Sequence, residues 1–278
     1  MKFSLVLATY DRKEELALFL QSLVHQTIGR DAFEVIVVDQ NDAIDLRPVL
    51  APYEALFPVV HLRSAIKGLS LNRNIGLAHD RGEWVAFPDD DCEYYPDTLE
   101  TVANLIHTEP VDVCMGRIRD RHLQKDIIRR WPSRVMSVSP GNFFRLTSSI
   151  TVFARRSDVR FDERMGVGAY FGGSEDADYL WQLMEQGRVL KYFPQIEVNH
   201  PDQSSSQVPQ EKLNSYMRGF GALIRKHPSW AAIKLLTLAL GYYSAQCLLA
   251  LLRLDFPAFK RRWVANGHCV RGLMSYGR

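Results

Sequence analysis

The sequence of 278 residues lacks several patterns that assign a function at once. Its four cysteines lie far apart without a CxxC spacing, which argues against a zinc site or a disulfide framework and favours a reducing compartment. It contains neither GxGxxG after the first apolar run nor GxxxxGK[ST], so dinucleotide-binding and P-loop folds lose their support. Because the formal net charge is only +2, we expect no general affinity for nucleic acid.

The amino terminus also lacks a long apolar run. Charge returns at Asp11, so the apolar part is too short for a signal peptide, and we expect a first β-strand here instead. Hydrophobic residues make up 46% and charged residues 24% of the chain, which is ordinary for a soluble globular protein. A chain of this length and composition can bury a substantial core.

Short apolar runs alternating with helical patterns predict a parallel α/β sheet with helices on its faces. The runs that predict buried strands are Phe3–Ala8, Glu34–Val38, Val59–Leu62 and Trp84–Phe87. In such sheets ligands bind beyond the carboxyl ends of the strands. We therefore expect a site formed by the polar residues at Thr9–Asp11, Asp39–Asp42 and Asp89–Asp91.

Three consecutive carboxylates, Asp89, Asp90 and Asp91, follow the fourth predicted strand. Like charges repel when they are crowded together and desolvated, so a cation at this point would stabilise them. Carboxylate oxygen ligands suit Mg²⁺ or Mn²⁺. The alternative is a solvated acidic turn before a helix that begins near Pro96.

The order and spacing of six motifs resemble those of a family 2 glycosyltransferase of the GT-A fold. The motifs are ATY at 8–10, VVDQND at 37–42, GLSLNRNIGLAH at 68–79, FPDDDCEYYPDTL at 87–99, GGSEDADYLWQLMEQG at 172–187 and VNHP at 198–201. The resemblance covers about residues 1–200. It implies an α/β fold with a Rossmann-like, mostly parallel sheet flanked by helices, in a GT-A domain at 1–205. Residues 206–278 would then form a C-terminal helical extension.

The resemblance also implies roles for individual residues. The nucleotide-sugar-binding residues would be Ala8, Thr9, Tyr10, Asp39, Arg73, Asp89 and Asp90. Among them, Asp39 would accept a hydrogen bond from the nucleobase, and Asp89 would begin the DXD motif. A metal ion would be held by Asp91, Asp89 and His200. Each role has a structural alternative, since Tyr10 could pack, Asp39 could cap a turn and His200 could be structural.

The motif at 172–187 contains the candidate catalytic residues. Ser174 is a plausible N-cap, which places Glu175 and Asp176 in the first turn of a helix. The helix dipole there favours an ionised carboxylate, which is the form that a general base needs. Acidic residues also stabilise a first turn without any catalytic role. The ED element of the resembled family favours Asp176 as the base, with Glu175 supporting it.

The carboxyl-terminal part contains an uncharged stretch, Leu235–Leu252, between Lys234 and Arg253. Its length reaches the lower limit for a membrane-spanning helix, but the polar residues within it weaken that interpretation. A soluble hairpin or a homodimer interface would bury the same residues. We expect peripheral membrane contact through 229–262, at the cytoplasmic, inner face of the cell membrane.

The predicted activity is that of an inverting, metal-dependent glycosyltransferase of the hexosyltransferase type. The resemblance favours a UDP-sugar donor, with GDP and dTDP open, and a hydroxyl of a glycan or lipid-linked acceptor in polysaccharide or glycoconjugate synthesis. One alternative is a non-catalytic nucleotide-sugar-binding protein, against which the retained DXD and ED carboxylates argue. A second is a sugar nucleotidyltransferase, which the absence of a glycine-rich phosphate loop disfavours.

Overall fold

The computed structural model describes residues 1–201 and 208–277. It divides into two compact units, each of which contains two separate chain segments. The first, here called the sheet unit, comprises Met1–Arg160 and Leu183–Ser205, and the second, the helical unit, comprises Phe161–Gln182 and Ser206–Arg278. The boundary that we predict between 205 and 206 falls outside the described residues.

The sheet unit contains a ten-stranded sheet in the described part of the chain. Its strands are β1 (Phe3–Thr9), β2 (Phe33–Asp39), β3 (Val59–Arg63), β4 (Trp84–Ala86), β5 (Glu93–Tyr94), β6 (Val113–Asp120), β7 (Lys125–Asp126), β8 (Met136–Ser137), β9 (Val152–Arg155) and β10 (Leu190–Asn199). The spatial order is β3-β2-β1-β4-β9-β6-β10-β5, with β7 paired to β6 and β8 to β10. This architecture confirms the predicted mostly parallel sheet.

Strand directions place several carboxyl ends at one edge of this sheet. β1 pairs in parallel with β2 and β4, and β2 pairs in parallel with β3. β9 runs antiparallel to both β4 and β6, so β6 and its parallel neighbour β10 point the same way as β1. The loops that follow β1, β2, β3, β4 and β10 therefore emerge on the same edge. Both β1 and β2 are almost wholly buried, as expected for apolar runs covered on two faces.

Four helices complete the sheet unit: α1 (Lys13–Val24), α2 (Arg47–Glu54), α3 (Leu69–Leu77) and α4 (Thr98–Thr108). Asp11 followed by Glu14 has the sequence pattern of a capping pair, but the cap position of α1 is Arg12 and no side chain caps it. Asp11 instead adopts a left-handed backbone conformation with φ 59°. The sequence pattern also misses α2, which has a proline in its first turn and buries only Leu50.

The helical unit contains α6 (Gln210–Lys226), α7 (Trp230–Leu252) and α8 (Phe256–Ser275), together with the start of α5 (Glu175–Glu185). The predicted C-terminal helical extension is thus present. Two glycines let α6 approach its neighbours backbone to backbone. A Cβ atom at Gly219 would lie 2.1 Å from the carbonyl oxygen of Gly173, and one at Gly221 would lie 2.0 Å from that of Cys269. Any side chain at either glycine would force these segments apart.

Candidate functional site

The acidic triplet lies in the loop after β4, at the carboxyl edge of the sheet. Each carboxylate has its own partner from another part of the sheet unit. The Thr9 hydroxyl at the end of β1 donates to Asp90 Oδ2 at 2.7 Å. Arg73 Nη2, from α3, donates to Asp89 Oδ1 at 2.9 Å. Asp91 forms a short ion pair with Arg12, at the start of α1. The fold therefore brings predicted donor-site residues from three segments together.

These surroundings give the neighbouring carboxylates opposite tendencies to ionise. Burial raises the pKa of Asp90 to about 7, even though the hydrogen bond from Thr9 opposes the shift. Burial also acts to raise the pKa of Asp91, but hydrogen bonds from His200 and Arg12 outweigh it and lower that pKa to about 2. At neutral pH Asp91 is therefore fully ionised, whereas Asp90 is close to its titration midpoint.

His200 follows β10 and reaches the same cluster. Its Nε2 lies 3.4 Å from Asp91 Oδ1, and its Nδ1 lies 2.8 Å from the carbonyl oxygen of Pro201. Burial acts to lower the pKa of His200, but the hydrogen bond with Asp91 outweighs it and raises the pKa. Because a carbonyl oxygen can only accept, Nδ1 carries a hydrogen and Nε2 is the nitrogen that faces the carboxylates.

This donor set fits a hard divalent cation held by few protein ligands. Within 1–201 and 208–277, no group of three or more His, Cys, Asp or Glu side chains is arranged as a metal cage. Mg²⁺ usually takes one or two carboxylates and completes its shell with phosphate and water. Metal-bound histidines typically donate their other ring N–H to a carbonyl, as His200 does to Pro201. Asp91 and His200 therefore offer a small ligand set of one carboxylate and one histidine whose other ring nitrogen is already hydrogen-bonded.

Asp39, at the end of β2, forms a second polar cluster. Its Oδ1 accepts from the backbone N–H and the Nδ2 of Asn41, at 2.9 and 2.8 Å. Its Oδ2 lies 3.0 Å from His61 Nε2 and accepts from Arg63 Nη1 at 3.1 Å. The side chain is fully buried, and these four contacts use the acceptor positions of a carboxylate. A nucleobase contact to Asp39 stays a prediction, and it would require His61 or Arg63 to yield.

The remaining predicted donor-site residues surround the end of β1. Ala8 continues the strand, and the Thr9 carbonyl accepts from the backbone N–H of Gln40 at 3.0 Å. Tyr10 is half exposed, and Lys67 Nζ stands 4.3 Å from the centre of its ring. Lys67 also forms an ion pair of 2.8 Å with Asp42. The exposed Tyr10 ring is a flat surface beside the carboxyl ends of β1 and β2.

Three basic residues and one histidine at this edge are not predicted from the sequence as members of the site. They are Arg12, His61, Arg63 and Lys67. The sequence could have indicated two of them by their positions after predicted strands. Arg12 directly follows the ATYD segment, and Arg63 follows the predicted strand Val59–Leu62. Neither residue is unusual for the position by itself, and only the fold shows which carboxylate it meets.

Glu175 and Asp176 lie in the helical unit, in the first turn of α5, as predicted. Glu175 is buried, whereas Asp176 is partly accessible and its Oδ1 accepts from the backbone N–H of Ala177 at 2.7 Å. Ser174, before the helix, has φ 69°, a left-handed conformation that is uncommon for residues with a side chain. Such conformations are concentrated at functional sites, where the surrounding structure holds them.

A buried ionic network fixes the rest of this first turn to the end of α6. Asp178 is fully buried, and its two oxygens lie 2.8 Å from His227 Nε2 and 2.9 Å from Lys226 Nζ. Lys226 also binds Asp162 at 3.1 Å. The His227 ring stacks on Trp181, with centres 5.1 Å apart. The orientation of α5 in the helical unit therefore depends on paired buried charges.

Comparison with known families adds independent information. The family model described as "Glycosyl transferase family 2" matches residues 4–171, which is more than half of the chain. Among curated proteins, the chain is 24% identical over 212 residues to the minor teichoic acid biosynthesis protein GgaB of Bacillus subtilis, covering 66% of this chain and 23% of GgaB. It is 25% identical over 178 residues to the Staphylococcus aureus poly(ribitol-phosphate) beta-N-acetylglucosaminyltransferase TarS, covering 59% and 30%.

The chain spans about a quarter to a third of the length of the first curated relatives that it matches. Among solved structures, TarS residues 1–349 in complex with UDP-GlcNAc give a TM-score of 0.71 at 20% identity, covering 98% of this chain and 82% of that one. A mannosyltransferase from Pyrobaculum calidifontis, in complex with GDP-Man and Mn²⁺, gives a TM-score of 0.62 at 14% identity, covering 98% and 87%. At these identities the structural similarity establishes the fold.

Proposed function

Because the chain belongs to Glycosyl transferase family 2, we propose that it is an inverting glycosyltransferase acting on a nucleotide sugar. The observation that carries this proposal is the cluster of Asp89, Asp90 and Asp91 at the carboxyl edge of the sheet, with Arg73, Arg12 and His200 bound to it. A nucleoside diphosphate brings two phosphates that need cationic partners, and this edge combines arginines with an ionised carboxylate. A UDP sugar is the proposed donor, in keeping with the UDP-GlcNAc complex of TarS.

We propose that the nucleotide lies along the ends of β1 and β2. The residues for this role are Ala8, Thr9, Tyr10, Asp39, Arg73, Asp89 and Asp90. The exposed Tyr10 ring can stack on a base. Asp39 can exchange its contact with the half-exposed Arg63 for one with the base. Arg73 is almost fully buried and already bound to Asp89, so it presents a fixed charge to the donor.

A divalent cation, Mg²⁺ or Mn²⁺, is proposed to be held by Asp91 and His200, with Asp89 beside them. When bound, it supplies positive charge that stabilises the diphosphate leaving group. The low pKa of Asp91 keeps the carboxylate ionised throughout the physiological range. The mannosyltransferase with the same fold is described with Mn²⁺, which supports a divalent ion in this fold.

Asp176 is proposed as the general base, with Glu175 as its supporting carboxylate. Asp176 would take the proton of the acceptor hydroxyl as the hydroxyl oxygen attacks the anomeric carbon. The bond from that carbon to the diphosphate breaks on the opposite face, so the sugar configuration inverts. Its partial exposure in the first turn of α5 suits a base that must meet an incoming acceptor.

The acceptor is proposed to be a glycan or a lipid-linked glycan of the bacterial cell surface. The names of GgaB and TarS, which concern teichoic acid and poly(ribitol-phosphate), support this class. In keeping with an acceptor of this class, we propose action in the cytoplasm at the inner face of the membrane.

The test is a thermal-shift screen of UDP, GDP and dTDP sugars with and without Mn²⁺, followed by turnover of the stabilising donor. A ligand present at 100 times its Kd adds about 2.7 kcal/mol of stability, so the donor will stand out from the panel. Release of the nucleoside diphosphate with formation of a glycoside supports the proposal. Binding without turnover over a panel of glycan acceptors would indicate a non-catalytic binding protein. Pyrophosphate release from a nucleoside triphosphate would indicate a nucleotidyltransferase.

A further inference from the structure

Helix α7 exposes far more apolar surface than a helix of a soluble domain normally does. It has 23 residues, and its most apolar 18-residue window has a mean hydropathy of 1.7, yet only 11% of that window is buried. One stripe packs inward, where Leu236, Leu240 and Tyr243 meet the cluster formed by Met217, Ala265 and Cys269. The opposite side has large exposed apolar side chains, among them Leu238, Tyr242, Leu248 and Leu252. A surface of this kind marks an interaction site.

Helix α8 also has exposed apolar side chains. Phe256 and Met274, near its two ends, are exposed, and Trp263 is 64% exposed. At the start of α7, Trp230 is 87% exposed. The remaining three tryptophans, Trp84, Trp131 and Trp181, are buried. Tryptophans with an apolar body and a polar N–H are typical of the boundary between lipid and water.

The charge of this hairpin decides between lipid and a second copy of the chain. Its basic residues in the described range 228–277 are Lys234, Arg253, Lys260, Arg261, Arg262 and Arg271. The same range contains one acidic residue, Asp255, whose carboxylate accepts from the backbone N–H of Ala258 as the cap of α8. Self-association of the hairpin would bring two strongly basic segments together, whereas anionic lipid headgroups complement such a segment.

A membrane-spanning orientation conflicts with the charges on α8. Helix α7 alone is about 35 Å long, enough to cross a hydrocarbon core of about 30 Å. However, α8 packs beside it, with Ala265 and Cys269 against the inner stripe of α7. The uncharged stretch of α8 between Arg262 and Arg271 has only eight residues and is about 12 Å long. A spanning hairpin would carry these arginines into the hydrocarbon, where arginine is strongly disfavoured.

We propose that the α7–α8 hairpin docks on an anionic membrane surface, with α7 lying in the plane of the interface. Trp230 and Trp263 enter the region between headgroups and acyl chains. The basic residues of the hairpin contact the headgroups. This inference concerns where the protein acts and is independent of the assignments of donor, metal and base.

The two exposed tryptophans provide the test on the full-length protein. Vesicles containing anionic phospholipid with bromine near the glycerol end of the acyl chain should quench part of the tryptophan fluorescence. A Trp230→Phe/Trp263→Phe variant should lose that quenching, because the three buried tryptophans stay out of reach. Quenching should fall as salt rises and should be weak with zwitterionic vesicles.

A matched pair of charge variants tests the electrostatic part. Lys260→Gln with Arg262→Gln should weaken vesicle binding about 30-fold, at about 1 kcal/mol for each basic residue. Arg30→Gln with Arg47→Gln removes two exposed charges from the sheet unit and should leave binding unchanged. Three results would overturn the proposal. A dimer in sedimentation that binds no vesicles would indicate self-association, and no vesicle binding at any salt concentration would exclude membrane contact. Strongest quenching by bromine at the acyl-chain ends, with binding that resists salt and carbonate, would indicate a membrane-spanning helix.

Discussion

Replacing Asp90 by Asn should make the protein more stable at alkaline pH, although it alters a candidate donor-site residue. Asp90 is buried in the triplet loop and accepts from Thr9, and its pKa is raised to about 7 from an ordinary value of 3.8. The folded protein therefore holds the Asp90 proton more tightly than the unfolded chain does. This contribution to stability is complete below pH 3.8 and is lost as the pH rises to about 7.

The size of the effect follows from the shift of about three pKa units. Each unit corresponds to about 1.4 kcal/mol, so full ionisation of Asp90 costs up to about 4 kcal/mol. Asparagine is neutral at every pH, and its carbonyl oxygen can still accept from Thr9. The unfolding free energy of Asp90→Asn relative to wild type should therefore rise by about 2–3 kcal/mol between pH 5 and pH 8.

Urea unfolding at half-unit steps from pH 5 to pH 8 measures this difference directly. Glu54→Gln, at an exposed position at the end of α2, is the control and should follow the wild-type curve. If wild type and Asp90→Asn keep a constant difference over this range, the buried carboxylate is not titrating there. A variant that is less stable than wild type at pH 8 would contradict the proposed cost of ionisation.

Three further predictions concern charges described above. Lys226→Met should destabilise the protein by about 3 kcal/mol in urea unfolding, because the fully buried Asp178 and the largely buried Asp162 side chain lose a shared cation. Arg47→Met removes the cation of the exposed pair with Asp45 and should leave the urea midpoint unchanged. If Lys226→Met and Arg47→Met destabilised the protein equally, burial of the ion pair would not explain the effect. Asp176→Asn should bind the donor normally but lose about 10²–10⁴ in transfer rate, and near-normal turnover would move the base elsewhere. Asp91→Asn should weaken Mn²⁺-dependent UDP binding in calorimetry, and unchanged affinity would exclude Asp91 as a metal ligand.

Much of the sheet could be predicted because parallel strands buried on both faces leave a clear pattern. The runs at β1 and β2 are almost continuously apolar, and the polar residues after them mark the edge where the site lies. Shorter elements are harder to predict. α2 buries a single leucine and so leaves almost no periodic signal, and β9 is preceded by a 3-10 turn at Ser149–Thr151 that extends the apparent strand.

The acidic residues of the candidate site could be predicted from the sequence, but the basic residues that pair with them could not. Three adjacent aspartates attract notice in any sequence, whereas Arg12 and Arg63 look like ordinary surface cations. Their partners, Asp91 and Asp39, are distant in sequence and are brought close only by the order of strands in the sheet. For the same reason, the sequence does not predict the burial that raises the pKa of Asp90 above that of Asp91.

The helical unit is assembled from two stretches of chain that the ribosome makes at different times. Its first stretch, Phe161–Gln182, includes the first turn of α5, and the partners of that turn at the end of α6 are made later. Roughly 90 residues separate the end of the first stretch from the end of α8, or about 5–20 s of translation. For about the first half of that interval Asp178 has no Lys226 or His227 to pair with, because α6 has not yet been made. The nascent chain can complete most of its sheet before it can complete the turn that carries Asp176, so catalytic competence should appear late in synthesis.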